Sequence, residues 1–64
     1  MKIYIEREGT TKVLRFNGSV RTLLQKLKIN PVSVIVVRDA MLITLDTQVN
    51  TTDTLEIKSV ISGG

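Results

Sequence analysis

A chain of 64 residues makes one domain (residues 1–64) and buries only about 60% of its unfolded surface, so its core must be compact and regular. It contains neither cysteine nor histidine, which excludes disulfide staples and thiolate metal sites, removes the commonest general base and zinc ligand, and makes a reducing, cytoplasmic compartment the expectation. The net charge of +3 is dispersed with alternating sign, and Tyr4 and Phe16 are the only aromatics; a stacking platform for nucleic acid is hard to build from them, and no apolar run approaches the ~20 residues of a membrane span.

KIYIER alternates, with Ile3 and Ile5 on one face and Lys2, Tyr4 and Glu6 on the other, the period of a half-buried strand. EGTT supplies a turn, and KVLRF resumes the alternation with Leu14 and Phe16 pointing one way and Val13 and Arg15 the other, so the two runs predict a hairpin. Asn17-Gly18 breaks the second strand, and Ser19 is a good N-cap. Val20, Leu23, Leu24 and Leu27 follow at i, i+3, i+4 and i+7, forming the apolar stripe of a helix of about two and a half turns. Lys26 and Lys28 suit the negative pole of its dipole, and Asn30-Pro31 stops it, because the residue before proline is pushed out of the helical region.

VSVIVV, apolar and rich in β-branched residues, predicts a central strand covered at least partly on both faces. Arg38-Asp39-Ala40 is a turn, MLITL a shorter strand, DTQVNTTD a loop, and TLEIKSVI a final strand with Leu55 and Ile57 inward and Glu56 and Lys58 outward. The predicted order is ββαβββ: an α+β fold in which one helix packs on one face of a mixed sheet.

Little chemistry is available to such a chain. A serine nucleophile lacks a histidine base, and nothing singles out a Ser-Lys pair among Ser19, Ser33, Ser59 and Ser62. Asp39, Asp46 and Asp53 recur in polar turns, where a carboxylate satisfies local backbone N–H groups. No glycine-rich phosphate cradle exists, and no bound metal or cofactor is expected. The unusual group is the end of the sequence, VISGG. The four residues from Ile61 onward extend at most about 13 to 14 Å, enough to thread a carboxylate into a partner's active site. Gly63 and Gly64 have no side chains to block a narrow tunnel. A carboxylate is a poor electrophile, so chemistry at Gly64 requires activation by a second enzyme, for which adenylation by ATP is the obvious route.

MKIYI at the start, NGSVRTLLQKL at the helix, NPVSVIVVRDAMLITLD in the middle and DTLEIKSVISGG at the end resemble the ubiquitin-like sulfur carriers, the β-grasp family of the ThiS, MoaD and ubiquitin-related modifier type. The similarity covers essentially the whole chain, and its specific part is the last, where DxLEI leads into the final strand and the terminal Gly-Gly is the carrier. It implies that Gly64 is adenylated by an E1-like enzyme, that a persulfide from a cysteine desulfurase or similar donor displaces AMP, and that the thiocarboxylate passes sulfur to an acceptor enzyme such as a tRNA thiolase or thiazole synthase. Ser62, Gly63 and Gly64 then form a flexible tail of about residues 61–64. The carrier is a monomer and not an enzyme, and it has no direct nucleic-acid or membrane partner.

VVRDAMLITLD is most similar to the tRNA-thiolation carriers, so 2-thiouridine synthesis is the leading expectation. Thiamine or molybdopterin synthesis, and conjugation to lysines as a protein modifier, are the alternatives. The thiamine-type carriers often have Asn-Gly in the strand turn where this sequence has Arg38-Asp39. On alternation, Tyr4, Val13, Val37 and Val60 fall opposite the expected core of Ile3, Ile5, Leu14, Phe16, Leu23, Leu24, Leu27, Leu55 and Ile57, and form an apolar patch for partner docking.

Overall fold

The computed structural model describes residues 1–60. Strand β1 (Lys2–Ile5) and strand β2 (Thr10–Val13) form an antiparallel hairpin in the register Ile5↔Thr10 and Lys2↔Val13. The connecting turn is Glu6–Gly9 and not EGTT, because Gly9, at φ +65°, closes the loop by donating its N–H to the Ile5 carbonyl at 2.9 Å. Thr10 and Thr11 therefore belong to β2, and the predicted KVLRF strand ends at Val13; Leu14 and Phe16 lie beyond it, packed against the core.

The next two elements are a two-residue strand, β3 (Gly18–Ser19), and helix α1 (Val20–Lys26). Ser19 caps the helix as expected, its hydroxyl accepting the Thr22 N–H at 3.2 Å. The helix is shorter than its apolar stripe because Lys28 turns left-handed at φ +61°. Ile29 then donates to the Leu24 carbonyl at 2.9 Å and Lys28 to that of Gln25 at 3.1 Å, which closes a Schellman motif. Helix α1 thus ends before Asn30-Pro31 is reached. Asn30 instead caps a single 3₁₀ turn over Pro31–Ser33, its side chain accepting the Val32 N–H at 3.0 Å.

Strand β4 (Val34–Arg38) and strand β5 (Met41–Ile43) make a second antiparallel hairpin, closed by Arg38↔Met41. Its two-residue turn is Asp39-Ala40, both at positive φ (54° and 64°), the signature of a type I′ turn. Arg38 is therefore the last strand residue and not part of the turn. It donates to the Asp53 carboxylate at 3.3 Å and to the Gln48 carbonyl at 3.2 Å.

The stretch DTQVNTTD, expected as a loop, contains strand β6 (Gln48–Val49), which pairs with β3. This stretch and the residues just before it complete the helix. The first-turn N–H groups of Val20 and Arg21, which have no intrahelical acceptor, donate to the carbonyls of Thr47 and Leu45, each at 3.0 Å. Val49 is buried in the core.

Strand β7 (Thr54–Ser59) closes the chain's main sheet, whose order is β2-β1-β7-β4-β5. It runs parallel to β1 and antiparallel to β4, so the last strand occupies the centre, a position expected for VSVIVV. Ile3, Ile5, Val36, Leu55 and Ile57 on one face bury against Val20, Leu23 and Leu24 of α1. Leu27 is half-buried, while Met1, Val36 and Val49 are core residues that the expected set omitted. One helix on one face of this mixed sheet is the β-grasp arrangement predicted from the ββαβββ order.

Candidate functional site

Two features of β7 define the site: what anchors it, and what its outer face presents. The strand pairs with β1 on one side and β4 on the other along its length. Glu6 donates to the Ile57 carbonyl at 3.0 Å, and Val60 donates to the Ser33 carbonyl at 3.0 Å. The chain is thus held in the middle of the sheet up to Val60. Ser62, Gly63 and Gly64 lie outside the described residues.

The face opposite α1 carries no covering element among the described residues. Register places Thr11, Tyr4, Glu56, Val37 and Leu42 in one row across all five strands. Tyr4 is 41% exposed and sits on one side of Glu56, with the half-buried Val37 on the other. These three, with Asp39, Ala40 and Thr54, line a shallow depression. Val13 is 78% exposed at the edge, in the neighbouring row beyond Lys2 and Thr54, so it stands apart from the other apolar positions. Val60 is exposed and follows Glu56 and Lys58 in the period-two series of this face.

Sequence reasoning missed Leu42, which is 65% exposed and faces Val37 directly across the β4–β5 pair. The signal was present: once the turn is Asp39-Ala40, a two-residue hairpin fixes Leu42 opposite Val37. Charge frames the apolar row. Lys58 lies 3.4 Å from Glu56 and 3.8 Å from Glu6, so one ammonium bridges two carboxylates beside the strand's exit.

The aspartates behave as turn chemistry predicts. Asp53 accepts the Asn50 N–H at 2.9 Å while holding Arg38, and Asp46 pairs with Arg21 at 3.4 Å. No helix among the described residues is long and apolar enough to cross a membrane. What the geometry offers is a firmly seated central strand that delivers the chain's last residues at one end of the sheet, beside an uncovered face with an apolar row.

No protein-family model matches the chain. A curated protein does: over 48 residues the chain is 46% identical to the sulfur carrier protein TtuB of Thermus thermophilus, an alignment spanning 75% of this chain and 74% of that protein. With the β-grasp sheet, its central last strand and this likeness together, the chain belongs to the ubiquitin-like sulfur carrier family.

Proposed function

We propose that this protein carries sulfur as a thiocarboxylate on Gly64, for 2-thiouridine synthesis in tRNA. The observation that carries the reading is the 46% identity to a sulfur carrier protein, and the family's diglycine ending coincides with Gly63 and Gly64 of this chain. In this reading an E1-like enzyme binds the open face and draws Ser62, Gly63 and Gly64 into its active site. The Gly64 carboxylate attacks the α-phosphorus of ATP and expels pyrophosphate, which turns a poor electrophile into an acyl adenylate. The terminal sulfur of a persulfide then attacks the carbonyl carbon and AMP leaves. A second thiol cleaves the resulting acyl disulfide, and the thiocarboxylate remains on Gly64 for delivery to the acceptor enzyme. The domain contributes no acid, base or metal to these steps; it is their substrate, and ATP is consumed by the activating enzyme.

The pathway is tested in a host lacking its own tRNA-thiolation carrier. The intact chain is expected to restore 2-thiouridine in tRNA, and the chain ending at Gly63 is expected to leave it absent. Restoration of thiamine prototrophy without 2-thiouridine, in a host that lacks the thiamine carrier, would instead assign the chain to thiazole synthesis. Gly64 linked to lysines of cellular proteins would add the modifier role, since an amine and a persulfide attack the same acyl adenylate.

A further inference from the structure

Helix α1 has seven residues and β7 has six, so about 10 Å of helix lies over about 20 Å of strand. The far end of the sheet is therefore left without helical cover. There, between the C-terminal end of α1 and the Glu6–Gly9 turn, a cleft opens whose walls are Ile5, Leu27, Ile29, Val34 and Ile57. Arg7, Glu8 and Lys28 stand on its lining, and Ser59, the last residue of β7, is at its edge. Cations elsewhere are engaged: Arg21 with Asp46, Arg38 with Asp53, Lys58 with Glu6 and Glu56. Arg7 and Lys28 are in no ion pair among the described residues.

We propose that this cleft is the resting seat of the chain's own last residues, with Ile61 against the apolar walls and the Gly64 carboxylate beside Arg7 and Lys28. The chain leaves Ser59 and Val60 at the cleft's edge, and the four residues that follow reach at most about 13 to 14 Å, which confines them to surfaces near the strand's end. The helix-side series Leu55, Ile57, Ser59 next falls on Ile61. Those four residues hold one large apolar side chain and, at Gly64, one carboxylate. The cleft offers apolar walls and two cations against the single carboxylate of Glu8. The carboxylate contact rests on the reading of Gly64 as the carrier end group. Seating withholds that carboxylate until an activating enzyme, docked on the opposite face of the sheet, competes the tail away.

Methyl NMR of the dilute protein tests the seat. Removing residues 61–64 is expected to move the methyl resonances of Leu27, Ile29 and Val34. In an Arg7→Glu/Lys28→Glu background the same deletion should move them much less, as a double-mutant cycle requires of coupled partners. Carboxypeptidase should release Gly64 severalfold faster from the Arg7→Glu/Lys28→Glu protein than from the native chain. Unmoved methyls, or equal trimming rates, would overturn the proposal. Shifts that grow with protein concentration would place the tail of a second copy in the cleft and overturn an intrachain seat. None of these readouts uses ATP or an activating enzyme, so the seat can fail while Gly64 carries sulfur, and the carrier role can fail while the seat stands.

Discussion

Two residues show how this chain tolerates local strain. Ala40 sits at φ +64° in the second central position of the β4–β5 turn, where a type I′ geometry favours glycine because Cβ crowds the following carbonyl. Ala40→Gly removes that crowding from an exposed site. It is expected to stabilise the domain by about 1 kcal/mol, raising the melting temperature by about 4–8 °C in a thermal melt. An unchanged or lower melting temperature would mean that the turn is not held in this conformation. Gly18 shows the converse constraint: at φ +152°, a Cβ added there would meet the Phe16 ring at 3.1 Å. The sequence marked Asn17-Gly18 as a break, but the reason for glycine there, the ring of Phe16, is a tertiary contact that no local pattern reveals.

At the scale of elements, periodic segments were legible and pairings were not. Ile3, Ile5, Leu23, Leu24, Leu55 and Ile57 are buried as the alternation and the helical stripe demanded, since each belongs to an element whose period alone selects a face. Val49 was unreadable because two residues establish no period. Its strand exists through β3 and through the carbonyls of Leu45 and Thr47 that complete the N-terminus of α1. Val49→Ala is accordingly expected to destabilise the domain by about 2 kcal/mol in urea unfolding, from lost burial plus the cavity left behind. A loss of less than about 0.5 kcal/mol, typical of surface positions, would contradict the assignment of this short strand to the core. The central place of β7 was likewise hidden. Its alternating pattern reads as a strand with one open face, and only the parallel pairing with β1 puts it in the middle.

The whole molecule separates a rigid body from the end group it presents. The β-grasp topology seats β7 between two neighbours as far as Val60, and the fold leaves the face opposite α1 free for a partner. Of the candidate site, the diglycine and the outward positions Tyr4, Val13, Val37 and Val60 were legible in the sequence. Leu42 and the isolation of Val13 emerged only from strand register. If the activating enzyme docks on the apolar row, Tyr4→Ala and Leu42→Lys should each raise the KM for adenylation about tenfold, a loss of about 1.4 kcal/mol. Leu42→Lys, at an exposed edge position, should change stability by no more than about 0.5 kcal/mol. An unaltered KM in both variants would move the docking surface elsewhere.

The central claim concerns a single atom exchange at Gly64, and the intact mass of the protein reads it most directly after incubation with the cognate activating enzyme, ATP and a persulfide donor. The account predicts a gain equal to the replacement of one oxygen by sulfur, confined by fragmentation to Gly64 and absent when ATP is omitted or Gly64 is deleted. An unchanged mass under conditions in which the same enzyme thiolates its established carrier, or a gain that persists without Gly64, would contradict it.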